Sequence, residues 1–219
     1  NSAGQRCSAL RVLYLPFETA EPLIARIIGV MQQLVVADPQ DYGTDIGPVI
    51  STAAAKQLAE HVDCMRQQEK VLFQVSLDEC LANACFFPPT LIELKSLAEL
   101  TEENFGPVLH IIRYHSDELE HIIEAINASG YGLTLGIQSR INSTINKISE
   151  NCKVGNVYIN RAMISAVVGV QPFGGMELSG TGPKAGGPNY LHAFTHEQTV
   201  TTNTVAIGGN ARLLAKDLD

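Results

Sequence analysis

Apolar residues recur at helical spacing in several stretches of the chain, and these stretches predict helices. The clearest is residues 18–37, where the apolar positions fall three or four apart. A second helix is expected from Ser51 or Thr52, either of which serves as its N-cap, to about Gln68. Two more are predicted at residues 116–126, ended by Gly130, and at residues 144–152.

Short apolar runs lie between these helices and predict strands. The runs are residues 10–15, 71–75, 86–92, 107–114, 131–139 and 154–160. In the third run the strand begins only after its prolines, because proline cannot donate to a sheet ladder. Strand, helix, strand, helix and strand follow one another from 107 to 160. This order is typical of parallel βαβ units, so we predict an α/β fold with an open, mostly parallel twisted sheet and flanking helices.

The character of the chain changes after Arg161. Residues 162–190 are rich in glycine and proline, and we expect an ordered functional loop there. Residues 198–204 then alternate threonine with Val200 and Asn203. Such a strand has little apolar surface to pack alone, so we predict a C-terminal oligomerisation strand that pairs with a second protomer. Residues 208–219 are interpreted as a tail.

Composition narrows the class of protein. The 219 residues are 45% hydrophobic and 17% charged, which is typical of a globular chain of one to one and a half domains. A net charge of −8 without a basic run argues against a nucleic-acid partner, and no apolar stretch is long enough to predict a transmembrane segment. The five scattered cysteines favour reduced thiols and a cytoplasmic location.

The first candidate for chemistry is Cys7, in the opening segment Asn-Ser-Ala-Gly-Gln-Arg-Cys-Ser. Small neighbours leave room for a substrate, and Arg6 with nearby backbone N–H groups would favour the nucleophilic thiolate. The competing interpretation is that Cys7 is an inert small residue in a tight turn. The pairs Cys80 with Cys85 and His192 with His196 lack further ligands in a zinc spacing, so we predict no metal site.

Four segments together resemble the aldehyde dehydrogenase superfamily. The first is Asn-x-x-Gly-Gln-x-Cys-x-Ala around Cys7, and the second is Glu-Glu-Asn-Phe-Gly-Pro-Val from Glu102. The third is Gly-Asn-Val-Tyr-Ile-Asn from Gly155. The fourth is Gln-Pro-Phe-Gly-Gly from Gln171, followed by Ser-Gly-Thr. Their order and their spread over the chain make the resemblance specific.

The resemblance implies a dehydrogenase that uses NAD. Cys7 would attack an aldehyde carbonyl, Glu103 would bind the nicotinamide ribose hydroxyls, and Phe105 would pack near the nicotinamide ring. Taken alone, Glu103 is better interpreted as a solvated acid and Phe105 as a core aromatic. Asn104 departs from the family, which usually has an apolar residue there, and this departure puts the local packing in doubt.

Within the superfamily, the whole chain resembles the L-glutamate γ-semialdehyde (1-pyrroline-5-carboxylate) dehydrogenase unit of bifunctional bacterial proline-utilisation flavoenzymes. The resemblance implies that Ser8, Ser165 and Ala166 anchor the α-carboxylate and amine of the substrate, and that Phe173 stacks on its aliphatic part. It also implies FAD in a separate proline dehydrogenase domain outside this chain. Peripheral association of the intact protein with the inner membrane is a further implication.

Several parts of the family's machinery are absent from the sequence. No Gly-x-Gly-x-x-Gly follows a strand, and the general-base glutamate and oxyanion asparagine upstream of the nucleophile are missing. We therefore expect a fragment that is inactive by itself. Residues 1–190 would be a catalytic domain truncated at its N-terminal side, residues 191–219 an oligomerisation strand and tail, and the NAD-binding domain would lie outside the chain.

Three alternatives stay open from the sequence. A thiol hydrolase with a histidine base would turn over without NAD. A non-catalytic α/β interaction module would have ordinary thiol reactivity at Cys7. A dehydrogenase for another acid semialdehyde would keep the chemistry and change the substrate.

Overall fold

A four-stranded sheet forms the centre of the structure, a computed structural model that describes residues 2–81, 85–164, 166–203 and 205–206. Its strands are β1 (Val12–Pro16), β2 (Val71–Gln74), β3 (Thr90–Leu94) and β4 (Val108–Tyr114), in the spatial order β1-β4-β3-β2. β4 runs parallel to both of its neighbours, with Val12 opposite His110 and Thr90 opposite Val108. β2 is antiparallel to β3.

Helices cover both faces of this sheet. Helix α1 (Phe17–Met31) packs on one face, where Ala20 and Ile24 join Leu91 and Ile111 in a buried cluster. Helix α2 (Thr52–Gln67) packs on the other face, against a cluster that includes Ile92 and Ile112. Successive residues of β3 and β4 therefore pack alternately towards α1 and α2, because successive side chains of a strand point to opposite faces of the sheet.

A second unit follows β4. It contains helix α3 (Leu119–Ala128), strands β5 (Tyr131–Gly132) and β6 (Thr134–Ile137), helix α4 (Asn142–Asn151) and strand β7 (Asn156–Ile159). β6 and β7 are parallel and joined through α4, whereas β5 pairs antiparallel with β8 (Met176–Glu177) in the glycine-rich loop. A small cluster of Ile123, Cys152 and Val154 forms its core.

Most predicted elements are confirmed, with shifted bounds. Ser51 is the N-cap of α2, since its Oγ accepts a hydrogen bond from the Ala54 N–H at 3.1 Å. Gly130 follows the end of α3 with φ of 74°. The helix predicted over 18–37 ends at Met31, and the one predicted from Ser116 begins as a short 3-10 turn before α3. None of the helices in the described part of the chain is both long and apolar enough to cross a bilayer.

Two predictions about strands need correction. The strand predicted over 131–139 is divided at Leu133, because its two halves pair with different partners, β8 and β7. The βαβ pattern predicted from 107 to 160 holds for β6-α4-β7, but β4 belongs to the four-stranded sheet.

Residues 198–203 are exposed and form no strand within this chain. Thr204 and the predicted tail at 208–219 lie outside the described residues.

Candidate active site

The loop that carries Cys7 begins with a left-handed turn. Ser2, Ala3 and Gly4 all have positive φ, of 57°, 47° and 68°, and the turn is closed by the Gln5 N–H, which donates to the Ser2 carbonyl at 2.8 Å. The Gln5 side chain then ties the loop to a distant segment, since its Oε1 accepts from the Ile50 N–H at 2.7 Å. The glutamine of the motif therefore holds the loop against the segment that leads into α2.

Cys7 lies in the next turn, which the Ala9 N–H closes by donating to the Arg6 carbonyl at 3.0 Å. The Cys7 side chain is exposed, whereas Ser8 beside it is buried. Arg6 donates from Nε to the Ser2 hydroxyl at 3.1 Å, so its guanidinium braces the loop from its start. The arrangement presents the thiol to solvent on a fixed backbone, as attack on an external substrate requires.

Arg11 connects this loop to the second motif. Its Nη1 and Nη2 donate to the Gly4 and Arg6 carbonyls at 2.7 and 3.0 Å, and its Nε donates to Glu103 Oε1 at 3.1 Å. The guanidinium carbon also lies 4.7 Å from the centre of the Phe105 ring. Sequence reasoning missed this residue. The only signal was an arginine in an otherwise apolar run that predicts a buried strand.

Close backbone contact brings the same two segments together. A Cβ built on Gly4 would lie 2.4 Å from the Gly106 carbonyl oxygen, so only glycine fits at this point. The loop that carries Cys7 and the segment that carries Glu103 and Phe105, about a hundred residues apart in sequence, therefore lie side by side. Glu103 and Phe105 are both exposed enough to meet a ligand.

Asn104 is buried between these two residues. It is 4% exposed, and its Oδ1 has no hydrogen-bond partner in the described part of the chain. Its Nδ2 reaches only the Glu102 carbonyl, at 3.5 Å. Asn104 therefore makes the local packing less favourable, as its departure from the family suggested. Glu103 beside it keeps its contact with Arg11.

A pair of histidines lies beneath Arg11. The His110 ring donates from Nδ1 to the Arg11 carbonyl at 3.1 Å, because a carbonyl oxygen can only accept. Its Nε2 is then an acceptor for the His61 Nε2–H, 2.9 Å away. Burial lowers the pKa of His110 to about 4 and also lowers the pKa of His61. Both rings are therefore neutral at pH 7.

The substrate-binding candidates further along the chain form a second cluster. Asn156 donates from Nδ2 to the Pro172 carbonyl at 2.9 Å and accepts at Oδ1 from the Gly174 N–H at 3.1 Å. This clamp fixes the backbone on both sides of Phe173. Phe173 also exchanges two backbone hydrogen bonds with Ala185, of 3.0 and 2.9 Å. These hydrogen bonds fix the part of the loop around Phe173, as expected for an ordered loop at 162–190.

The third and fourth motifs also meet through their glycines. A Cβ on Gly155 would lie 1.9 Å from the Gly174 carbonyl oxygen, and Lys184 donates to the Gly155 carbonyl. Ser179 accepts at Oγ from the Gly132 N–H at 3.0 Å. Gly155-Asn156 and Gln171-Pro-Phe-Gly-Gly are therefore two sides of one interface, which explains why both motifs occur together.

The two clusters differ in how they are tied to Cys7. Between residues that the structure describes, no hydrogen bond or ion pair joins the loop of Ala166 and Phe173 to the cysteine loop. Ala166 is half-buried and Phe173 likewise, whereas Ser165 lies outside the described residues. No three His, Cys, Asp or Glu side chains of the described residues gather closely enough to hold a metal ion.

A family model, "Aldehyde dehydrogenase family", matches residues 1–200 of the chain. The chain belongs to the aldehyde dehydrogenase family. A curated relative, the bifunctional protein PutA of Klebsiella aerogenes, is 50% identical over 197 residues, which are 88% of this chain and 15% of that protein.

Solved structures agree with this family assignment. A variant of proline utilization A from Bradyrhizobium japonicum superposes with a TM-score of 0.88 at 49% identity, over 95% of this chain and 21% of that one. A 1-pyrroline-5-carboxylate dehydrogenase from Thermus, solved with bound NAD, gives a TM-score of 0.78 at 33% identity, over 88% of this chain and 37% of that one. This chain spans well under half of the length of each.

Proposed function

We propose that this chain carries the nucleophile of an NAD-dependent dehydrogenase that oxidises L-glutamate γ-semialdehyde to L-glutamate in proline catabolism. The observation that carries the proposal is the joining of an exposed Cys7 to Glu103 and Phe105 through Arg11 and the Gly4–Gly106 contact. The Thermus relative with NAD and the PutA relatives support the choice of cofactor and substrate.

The chemistry at Cys7 divides into two stages. The thiolate attacks the aldehyde carbon, forming a C–S bond, and the carbonyl electron pair moves to oxygen to give a thiohemiacetal. The backbone N–H of Cys7 would stabilise that oxyanion. The C–H electron pair then leaves as hydride, and the resulting thioester is hydrolysed by water to release glutamate and the thiol.

The residues near Cys7 fit a nicotinamide nucleotide. Glu103 accepts from Arg11 through Oε1 while about half of its side chain stays exposed, so carboxylate surface is available for ribose hydroxyls. Phe105 is 43% exposed and offers a ring against which a nicotinamide can pack. When bound there, NAD would supply the hydride acceptor.

Substrate selection is proposed for the small residues next to the thiol and in the glycine-rich loop. Ser8, Ser165 and Ala166 would hold the α-carboxylate and amine, since a hydroxyl and successive backbone N–H groups bind a carboxylate without a buried cation. Phe173, fixed by the Asn156 clamp, would contact the aliphatic carbons of the substrate. An enzyme for another acid semialdehyde is the second candidate, favoured only by the generality of a carboxylate site.

The remaining parts of the proposal concern the setting of the enzyme. We place it in the cytoplasm as a homo-oligomer that pairs through residues 198–204, with a division near residue 190 between catalytic and oligomerisation parts. FAD would belong to a separate proline dehydrogenase domain, and contact with the inner membrane would be peripheral.

The test measures NADH formation by the protein in its full natural length. We expect glutamate γ-semialdehyde to be preferred to propanal, and Cys7→Ala to leave less than about a hundredth of the rate, because the covalent route is lost. Cys64→Ala is the matched control, since Cys64 is also an exposed thiol. Product formation without NAD would favour the hydrolase, and full activity in Cys7→Ala would exclude the nucleophile role.

A further inference from the structure

One side chain makes most of the contacts between the two halves of the site that includes Cys7. We infer that Arg11 is a positioning residue, which sets the distance between the Cys7 turn and the Glu103–Phe105 segment during the reaction. The kinetic consequences of this inference rest on the proposed function. The contacts from which it is drawn are independent of that function.

The guanidinium is shared between the two segments. On the cysteine side it donates to the Gly4 and Arg6 carbonyls, and the Arg6 carbonyl also closes the turn that holds Cys7. On the cofactor side it donates to Glu103 at 3.1 Å and reaches the Gly106 carbonyl at 3.5 Å. A rigid planar group with five donors holds these acceptors at fixed angles, which a lysine ammonium cannot do.

The base of the side chain is also fixed. The Arg11 carbonyl accepts from the His110 N–H at 3.0 Å and from the His110 ring at 3.1 Å. His110 is 1% exposed, at the centre of the four-stranded sheet. Arg11 therefore reaches from a rigid sheet to two irregular loops, the arrangement that best preserves the geometry of a site built on loops.

A second arginine, Arg113 on β4, separates positioning from stability. Arg113 also pairs with carboxylates, those of Glu93 and Glu21, and its side chain is 22% exposed against 18% for Arg11. Its partners lie on β3 and α1, outside the candidate site. Replacing either arginine should lower stability, but only Arg11 should change the chemical step.

The kinetic test compares Arg11→Lys with Arg113→Lys in the full natural-length protein. We expect kcat to fall at least about tenfold in Arg11→Lys, because a misplacement of about 1 Å is costly to a reacting pair. The isotope effect on kcat with aldehyde deuterated at its carbonyl carbon should rise, as hydride transfer becomes the slow step. Arg113→Lys should keep kcat within about twofold. The inference would be overturned if kcat fell in both variants in proportion to the decrease in Tm and the isotope effect stayed at its wild-type value.

A second test needs neither NAD nor turnover, and it stands even if Arg11→Lys fails to fold. It measures alkylation of Cys7 by iodoacetamide, relative to Cys64 in the same molecule, in Glu103→Gln and Glu102→Gln. Each variant removes one carboxylate, and the two glutamates are adjacent in sequence. Of the two, Glu103 is the one that accepts a hydrogen bond from Arg11. We expect the ratio to shift at least about threefold, in either direction, in Glu103→Gln alone, since coupled residues transmit such effects.

The two tests distinguish two kinds of failure. The role of Arg11 would be overturned if the ratio of Cys7 to Cys64 alkylation were the same in Glu103→Gln and Glu102→Gln, whether or not that ratio differs from the wild-type value. Absence of aldehyde oxidation by the wild-type protein would overturn the proposed function, and the alkylation ratios would still judge the role of Arg11.

Discussion

Asn104 buries a side-chain oxygen that nothing in the described part of the chain satisfies. Leaving such a group unpaired costs about 1–3 kcal/mol. Leucine has a similar branched shape and no polar atom, so we expect Asn104→Leu to raise the free energy of unfolding by about 1 kcal/mol. Denaturant unfolding of the purified protein measures this gain.

The control for that substitution is Asn127→Leu. Asn127 bonds with both ends of its amide, to the Asn151 carbonyl at 2.8 Å and from the Lys153 N–H at 2.8 Å. Its replacement should destabilise the protein. Equal destabilisation by both substitutions would mean that the Asn104 oxygen has a partner after all.

His110 predicts a dependence of stability on pH. Burial lowers its pKa from the ordinary histidine value of 6.5 to about 4 in the folded chain, so the unfolded chain binds the proton more tightly. The stabilisation is complete above pH 6.5 and is lost as the pH falls towards 4. We expect a loss of about 2 kcal/mol between pH 7.5 and pH 5 from this residue.

The measurement is the free energy of unfolding across that pH range in His110→Gln and in His192→Gln. The first variant removes a buried titrating group, and its pH dependence should be shallower than that of the wild type. His192 is exposed, so its replacement is the control for losing a histidine from the surface. Parallel slopes in all three proteins would show that His110 does not control this transition.

At the scale of residues, the sequence suggested the chemical groups of the candidate site but not the contacts between them. Cys7, Glu103 and Phe105 came from motifs that resemble those of the family, and their roles stay predictions. Arg11 was missed because its role depends on which acceptors lie around it, and these are the Gly4 and Arg6 carbonyls and the distant Glu103 carboxylate. The substrate roles of Ser8, Ser165, Ala166 and Phe173 stay predictions.

At the scale of elements, the side-chain amide of Asn156 joins β7 to the glycine-rich loop through two hydrogen bonds. Asn156→Ala removes the donor to Pro172 and the acceptor for Gly174. We expect KM for glutamate γ-semialdehyde to rise about tenfold and KM for propanal to change little, because propanal lacks the groups that the loop would bind.

Steady-state kinetics with both aldehydes measures that difference, and Asn127→Ala, a substitution within α3, is the control. Asn156→Asp keeps the acceptor and loses the donor, so its effect should lie between wild type and Asn156→Ala. A rise of the same size for both aldehydes would argue that the loop does not select the substrate.

Helical periodicity and capping residues predicted the helices well, because those signals are local. Ser51 and Gly130 marked two ends correctly. Strand partners were harder to predict, since an apolar run does not state which strand lies beside it. The division of 131–139 between β8 and β7 depends on contacts with residues 156–177, which no local pattern contains.

At the scale of the whole molecule, residues 198–203 are exposed and have no strand partner within the described part of this chain. We expect them to pair with a second protomer, so Thr201→Pro should lower the mass of the particle in solution, because proline interrupts a ladder of backbone hydrogen bonds. Light scattering after size-exclusion chromatography measures this mass. Thr201→Val is the control and should keep the wild-type mass, whereas an unchanged mass in Thr201→Pro would contradict the prediction.

The pairing of β1 with β4 also sets the order of events when the protein is made. Val12 lies opposite His110, 98 residues later in the chain. At a synthesis rate of about 5–20 residues per second, Cys7 leaves the ribosome about 5–20 s before the strand that completes its surroundings. During that interval Arg11 has none of its contacts with Glu103, Phe105 and His110, so the loop that carries Cys7 is fixed to the sheet only after β4 has been made.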